Sequence, residues 1–233
     1  MPLNFYKNPN WALSREGRAI PLYASKDPHS FSNRPLLLIG GVHGNEPEGV
    51  FLAEKTLEWI ESYKGSHWPV PWMLIPCLNP DGYHKKQRGN AHNVDLNRNY
   101  PSSDWTSSYS EKKYFPGPSP ASEPEVQAIV TLTSLTNPCL FIHFHSWVPC
   151  IVCTGNPAKT VALELAVSSG YAVTESIGYD TPGGLSRWGW HDQRIPVICV
   201  EESEGCSKET TWSHFGAAIQ KILSSSELYQ TLK

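Results

Sequence analysis

The chain of 233 residues lacks three features that mark whole classes of protein. It has no basic cluster: its 19 Lys and Arg residues are scattered and the formal net charge is -3, which argues against a nucleic-acid partner. It has no apolar run of transmembrane length, and its N-terminal residues show neither the basic start nor the apolar stretch of a signal peptide. We therefore expect a soluble, cytoplasmic protein with no membrane partner.

Disulfide bonds are also not expected. The chain has six cysteines, but a protein without an export signal stays in the reducing cytosol, where free, mostly buried thiols are the rule. Cys150 and Cys153 form a CxxC pattern, which occurs in redox sites and in halves of zinc sites. Because no second pair follows, these two residues are predicted to be ordinary strand thiols.

The chain has no internal repeat and no linker, so residues 1–233 are predicted to form a single domain. Short apolar runs bounded by turn residues predict buried strands at Leu36–Ile39, Trp72–Cys77, Leu140–His145 and Val197–Val200. Amphipathic stretches predict helices at 48–63, 122–135, 159–170 and 210–225. This alternation indicates an α/β fold, in which helices cover both faces of a central sheet in an α/β/α sandwich.

Local signals refine these elements. Ser122 and Glu125 form a predicted capping box with Pro124 in the first turn, and Gly170 is expected to end the following helix. Residues 101–120 are rich in Ser, Tyr and Pro and predict a long surface loop.

A histidine and a glutamate, His43 and Glu46, follow the first predicted strand in a glycine-rich turn, where the ligand site of such folds lies. Imidazole and carboxylate are zinc ligands, and a catalytic zinc site needs three protein ligands. His143 and His145 lie on one side of a later strand. We predict His145 as the third ligand because it lies at the strand end, and His143 as a buried histidine or one that supports a ligand.

Residues 78–101 are rich in Asn, Asp and Arg, and this composition argues against a core element. The segment brings Arg88, Asn97 and Arg98 close together in sequence. Arginine pairs with carboxylates and can stabilise an oxyanion. The alternative is a solvated loop with incidental arginines.

Several motifs, in order, resemble the zinc carboxypeptidase family: "HGNE", "NPDG", "DLNRNYP", "GPSPASEPEVQAI", "HFHS" and "YDTPGGLSRWGWHDQRIPVICVEE". The resemblance extends from about residue 17 to residue 201 and implies a mixed central sheet and one zinc ion per chain, held by His43, Glu46 and His145.

The resemblance also implies roles for six further residues. Glu201 would be the catalytic base, and Arg88 would polarise the scissile carbonyl. Asn97 and Arg98 would bind the free carboxylate of the departing residue. Tyr179 would close over the substrate, and Ser186 would help to form the floor of the side-chain pocket.

Within the family, the compact length and the segments "ESIGYDTPGG" and "SEPEVQAI" are most similar to the murein peptide amidases. This similarity implies a cytoplasmic enzyme of cell-wall recycling whose substrate is a small murein peptide, cleaved between γ-D-glutamate and meso-diaminopimelate. The distal ammonium and carboxylate of diaminopimelate need charged partners, and the candidates are Asp180, Arg187, Glu202 and Glu204.

Two other functions compete with this one. The succinylglutamate desuccinylase and aspartoacylase group shares the "GGxHGNE" opening and a DLNR block, and its members remove acyl groups from amino acids. A catalytically inactive murein-peptide-binding protein is the second alternative. The "NPDG" motif and the Tyr179 to Trp188 block favour the peptidase, and the ligand set and base are complete, which favours catalysis. The oligomeric state stays open.

Overall fold

The computed structural model describes residues 4–232. Its strands are β1 (Tyr6–Leu13), β2 (Ala19–Ala24), β3 (Leu36–Ile39), β4 (Trp72–Ile75), β5 (Leu140–Trp147), β6 (Cys150–Thr154), β7 (Val173–Thr174) and β8 (Val197–Ser203). Its α-helices are α1 (Pro47–Ser62), α2 (Pro80–Lys85), α3 (Pro124–Thr136), α4 (Lys159–Ser169), α5 (Lys208–Ser224) and α6 (Ser226–Gln230).

The eight strands form one mixed sheet in the order β1-β2-β4-β3-β5-β8-β6-β7. The central strands β4, β3, β5 and β8 are parallel, and they are the four strands predicted from apolar runs. β1 and β2 pair antiparallel with their neighbours, whereas β6 is antiparallel to β8 and parallel to β7. Of these four outer strands, the sequence indicated only β6, through its two strand thiols. Because the parallel strands end at the same edge of the sheet, the residues that follow them meet there.

Helices cover both faces of the sheet, as predicted. Leu36 and Leu38 of β3 pack in one core with residues of α1, α4 and α5, whereas Leu37 and Ile39 pack in a second core with residues of α3. The four predicted helices correspond to α1, α3, α4 and α5, and Gly170 ends α4 in the left-handed conformation. Within residues 4–232, every helix is too short or too polar to span a lipid bilayer.

The predicted capping box at the start of α3 is wrong. Glu123 is the N-cap residue and its side chain forms no cap bond. The hydroxyl of Ser122 donates to Glu123 at 2.8 Å instead. Glu125 is buried and accepts hydrogen bonds from the backbone N–H of Arg15 at 3.0 Å and the amide of Asn90 at 3.2 Å. Because the Glu125 side chain is bonded to these two distant segments, it does not turn back to the backbone N–H at the helix start.

Much of the polar segment 78–101 is buried, although its composition argued against a core element; His84, Lys85, Lys86, His92 and Asn93 are exposed. Asn79, Asn90 and Asn99 are fully buried, and α2 occupies the start of the segment. Oδ1 of Asn79 accepts the N–H of Gly82 at 2.9 Å, and the amide of Asn99 donates to the carbonyl of Pro116 at 2.8 Å. Polar side chains can be buried when hydrogen bonds satisfy them, and here these bonds hold the segment in place.

Candidate metal centre and active-site cleft

The three predicted metal ligands meet beyond the carboxyl ends of β3 and β5. Nδ1 of His43 lies 2.8 Å from Oε1 of Glu46, and Nδ1 of His145 lies 2.7 Å from Oε2 of the same carboxylate. The two Nδ1 atoms are 3.0 Å apart. All three side chains are buried, so the two rings and the carboxylate converge on one point shielded from bulk water.

The surroundings of His43 test whether this donor set suits a metal. Its Nε2 lies 3.0 Å from Oδ1 of the buried Asp95, while its Nδ1 faces Glu46. A neutral imidazole has one N–H, so donation to Asp95 leaves the Nδ1 lone pair facing a carboxylate and a second imidazole. A metal cation bound between these groups would accept the Nδ1 lone pair and balance the charge of the carboxylate. Two imidazoles and a carboxylate suit zinc, with Asp95 as the carboxylate behind the ligand histidine.

Asp95 also contacts Arg88. Oδ2 of Asp95 accepts the Nε–H of Arg88 at 2.9 Å, and Nη1 of Arg88 donates to Oε1 of Glu46 at 3.1 Å. Burial opposes ionisation of Asp95, yet its contacts with His43 and Arg88 lower its pKa well below the ordinary value. Burial likewise opposes ionisation of Glu46, whose pKa is lowered by His43 and His145. Both carboxylates are therefore ionised near neutral pH.

His143 is buried against the ring of His145, the third predicted ligand. This position fits the prediction of a buried histidine or one that supports a ligand. Its Nδ1 is 2.8 Å from Nε2 of His145, and its side chain is buried. Burial lowers the pKa of His143 well below the ordinary histidine value, so the ring is neutral. Its Nε2 has no hydrogen-bond partner within residues 4–232.

Pairing of β5 with β8 places Glu201 beside His145, because these two residues are register partners in parallel strands. The Glu201 side chain is buried, and the thiol of Cys199 donates to its Oε1 at 3.3 Å. Burial raises the pKa of Glu201, although His145 opposes the shift. A carboxyl group with a raised pKa can accept and return a proton close to neutral pH.

The ligand set opens into a cleft of about 370 Å³. Besides the three ligands, the predicted residues Arg88, Tyr179 and Glu201 line it. Lys113 and Tyr114 line it as well, from the irregular segment 101–120 that was predicted as a surface loop. The cleft thus combines a metal-type ligand set with a buried carboxyl group, a guanidinium and a half-exposed tyrosine.

Arg98 does not line this cleft. Its buried guanidinium lies behind two tyrosine rings, with Cζ 5.3 Å from the ring centre of Tyr114 and 6.0 Å from that of Tyr179. The buried Asp95 pairs with Arg88, and Arg98 has no ion-pair partner within residues 4–232. Nη1 of Arg98 donates to the carbonyl of Asn97 at 2.8 Å, and its side chain also interacts with Tyr179.

Asn97 and Ser186 also lie outside the lining of the cleft. Oδ1 of Asn97 accepts the N–H of Leu185 at 2.9 Å, which ties Asn97 to the turn before Ser186. Ser186 is half-buried at the start of a π-helical turn at Arg187–Asp192. The bond to Leu185 therefore holds Asn97 against the turn that carries Ser186.

Of the four charged residues considered for the distal end of diaminopimelate, Glu204 lines the cleft. Glu202 is wrong as a candidate because it lies on the opposite face of β8, where it accepts the O–H of Tyr171. Arg187 donates to Asp104 at 2.7 Å, away from the cleft. Asp180 is exposed and is not part of the lining.

Sequence reasoning missed Asp95, Lys113 and Tyr114. Asp95 had a signal, because it begins the DLNR motif and a ligand histidine requires an acceptor for its second nitrogen. Lys113 and Tyr114 had none, since their segment has no periodicity. Cys150 and Cys153 lie in β6 as predicted, and no disulfide bond joins any two cysteines within residues 4–232.

The family model described as zinc carboxypeptidase matches residues 10–220. Murein peptide amidase A from Escherichia coli is 31% identical over 164 residues, which cover 65% of this chain and 64% of that protein. Murein peptide amidase A from Vibrio campbellii is 28% identical over 200 residues, which cover 81% and 77%. The chain therefore spans less than two thirds of the Escherichia coli relative.

Solved structures have the same fold. Murein-tripeptide amidase MpaA from Escherichia coli O157 superposes with a TM-score of 0.76 at 26% identity, covering 94% of this chain and 92% of that one. Bovine thrombin-activatable fibrinolysis inhibitor, in complex with tick carboxypeptidase inhibitor, superposes with a TM-score of 0.75 at 20% identity, covering 97% and 90%. At the lower identity, the likeness concerns the fold alone.

Proposed function

The chain belongs to the zinc carboxypeptidase family, and from this membership we propose that it hydrolyses murein peptides between γ-D-glutamate and meso-diaminopimelate. The relatives named murein peptide amidase A support this substrate class. The observation that carries the proposal is the convergence of His43, Glu46 and His145 at a cleft that contains Glu201. We further propose that the chain acts as one domain on a small peptide, without nucleic acid or membrane.

One zinc ion, held by His43, Glu46 and His145, would supply a Lewis acid that polarises the scissile carbonyl and lowers the pKa of a water molecule. Asp95 would hold the His43 ring by accepting its Nε2–H, a contact supported by the 3.0 Å separation. His143, two residues earlier on the same face of β5, would hold the ring of His145 in the same way.

Glu201 would act as the general base and then as the general acid. It would take a proton from the attacking water and return it to the amine of the departing diaminopimelate. Its position beside His145 and its raised pKa support this role. Arg88, which lines the same cleft, would donate to the carbonyl oxygen as negative charge develops on it.

Arg98 would bind the free carboxylate of the departing residue, with Asn97 beside it. A buried guanidinium without an ion-pair partner among residues 4–232 is suited to a bidentate contact with a carboxylate. Access requires Tyr179 to swing aside, and the exposure of this ring, 40%, supports such a movement. Tyr179 would then close over the bound peptide. A pocket floor at Ser186 would open with the same movement.

The distal end of diaminopimelate carries an ammonium and a carboxylate. Glu204 would pair with the ammonium and Lys113 with the carboxylate, since these two residues bring opposite charges to the cleft. A substrate with lysine in place of diaminopimelate lacks the carboxylate. We expect it to be cleaved more slowly by wild type, and the Lys113→Ala variant to lose that preference.

The decisive experiment measures release of free meso-diaminopimelate from L-Ala-γ-D-Glu-meso-diaminopimelate, with zinc quantified in each protein. Wild type should release it, whereas Glu201→Gln should bind zinc and lose activity by about a hundredfold or more. Glu209→Gln, which removes an exposed carboxylate from the first turn of α5, is the matched control and should retain activity.

Two results would redirect the proposal. Zinc binding without release, together with hydrolysis of acylated amino acids, would favour the desuccinylase-like function. Peptide binding without zinc and without hydrolysis of either substrate class would favour a binding protein. The cytoplasmic location stays a prediction from the sequence.

A further inference from the structure

A second group of metal-type ligands lies on the opposite face of β8 from Glu201. It consists of Glu202, Cys206 and His214, which we call the Glu202 cluster. Nδ1 of His214 lies 2.8 Å from Oε2 of Glu202, and the ligand atoms of all three residues lie within 4.8 Å of one another. The cluster shares no residue with the set at His43.

Local structure brings the three side chains together. Alternation along β8 turns Glu202 away from the cleft and toward α5. Gly205 then adopts a left-handed φ of 82°, which reverses the chain, and the N–H of Cys206 donates to the carbonyl of Ser203 at 3.3 Å. His214 reaches the same point from α5.

The carboxylate of Glu202 is held in a defined orientation. Its Oε1 accepts the O–H of Tyr171 and the backbone N–H of Ser203, the latter at 2.6 Å. This leaves Oε2 directed at His214. Hydrogen bonds of this kind to a carboxylate orient it for metal binding. Glu202 is 1% exposed, so it cannot take another orientation toward water.

The donor types and their exposure determine which ligand fits. Thiolate, imidazole and carboxylate together are a set that zinc and cobalt accept in tetrahedral sites. Cys206 and His214 are half-buried, so an ion can enter from solvent and keep a fourth position for water. The thiol proton would leave on binding, as at other cysteine sites.

We propose that the Glu202 cluster is a second divalent-metal site, separate from the centre at His43. Glu204 lies between two of its ligands in sequence and lines the cleft. Metal binding therefore fixes the segment that carries Glu204 and links the end of β8 to α5. The site does not depend on the substrate proposed above.

Cobalt titration of the metal-free chain tests the site. Wild type should bind a second equivalent, and that equivalent should produce a near-ultraviolet thiolate-to-cobalt band, because the set at His43 contains no sulfur. Cys206→Ser should lose both the second equivalent and the band. Cys153→Ser, a half-buried thiol of β6, is the matched control and should keep both.

Thermal unfolding with and without zinc gives a readout for a second variant. Zinc beyond the first equivalent should raise the melting temperature of wild type and leave that of His214→Ala unchanged. If wild type bound only one equivalent of cobalt, the proposal would be overturned, because the cluster would then be only a hydrogen-bonded group. A band that persists in Cys206→Ser would also overturn it, because the sulfur ligand would lie elsewhere.

Discussion

Asp95 holds His43 and Arg88 at once: its Oδ1 lies 3.0 Å from Nε2 of His43, and its Oδ2 accepts the Nε–H of Arg88 at 2.9 Å. The backbone N–H of Asn97 also donates to Oδ1, at 2.9 Å. One fully buried carboxylate therefore sets the orientation of a candidate metal ligand and of the arginine proposed to bind the oxyanion.

The Asp95→Asn variant is expected to bind zinc about ten to a hundred times more weakly than wild type, because the amide removes the charge behind His43. Competition with a chromophoric chelator measures the affinity. Asp27→Asn removes an exposed carboxylate far from the cleft and should leave zinc affinity unchanged. Equal zinc affinities in wild type and Asp95→Asn would contradict this role of Asp95.

The Arg98→Lys variant is expected to lower kcat/KM for the murein tripeptide by about tenfold to a hundredfold, because an ammonium cannot form the two parallel bonds of a guanidinium. A tripeptide with the main-chain carboxylate of diaminopimelate amidated provides the comparison. Wild type and variant should cleave this analogue at similar rates. An equal loss on both substrates would show that Arg98 acts on the structure of the site and does not bind the carboxylate.

Gly44 has no room for a side chain. A Cβ there would lie 1.9 Å from the carbonyl carbon of Gly82 and 2.2 Å from the backbone nitrogen of Tyr83. Since backbone atoms cannot rotate away, Gly44→Ala should cost about 3 kcal/mol or more of unfolding free energy. It should also weaken zinc binding, because the same turn carries His43.

Gly178→Ala is the matched control for this prediction. Gly178 has a positive φ of 97° but open space around its Cα, so only backbone strain of about 1 to 2 kcal/mol is expected. Urea unfolding of the two variants separates the steric cost from the strain. Equal losses in both would refute the steric explanation.

Asp104 gives stability a dependence on pH. It accepts hydrogen bonds from Ser102 at 2.6 Å, from the N–H of Gly183 at 3.3 Å and from Arg187 at 2.7 Å. Burial opposes its ionisation, but these contacts lower its pKa below the ordinary 3.8. Because the folded pKa is the lower one, the stabilisation is present above pH 3.8 and is lost as the pH falls through the folded value.

The Asp104→Asn variant should therefore unfold more easily than wild type by about 1 kcal/mol at neutral pH. The difference should shrink as the pH falls through the lowered folded pKa of Asp104, because wild type is then protonated as well. Urea unfolding at a series of pH values measures it. A difference that stays constant with pH would mean that the ionised form of Asp104 does not stabilise the fold.

The strands found from sequence were those buried on both faces, because only they form unbroken apolar runs. β1 is an edge strand in which Pro9 lies among Lys7, Asn8 and Asn10, so its pattern resembled a loop. β2 alternates Ile20, Leu22 and Ala24 in the core, but Pro21 interrupts the signal. β7 has two residues, too few for any pattern.

The candidate site shows the same division. His43 and Glu46 could be predicted because they are close in sequence and follow a strand. Tyr114 could not, since an irregular segment of the chain carries it to the cleft. Composition argued against a core element at 78–101, yet much of this segment is buried, because composition does not reveal whether polar side chains will satisfy one another inside a protein.

Glu201 and Glu202 are adjacent on β8 and face opposite sides of the sheet. This alternation determines the effect of a one-residue deletion in β8. If one residue among 197–200 were deleted and the start of β8 kept its pairing with β5, every later residue of β8 would move back by one position. Glu202 would then lie opposite His145. A carboxylate would still stand beside the ligand set. The second cluster would lose Glu202, and Val200 would leave the core that it shares with Ile198, so the deletion would destabilise the fold more than it would disturb the catalytic carboxylate.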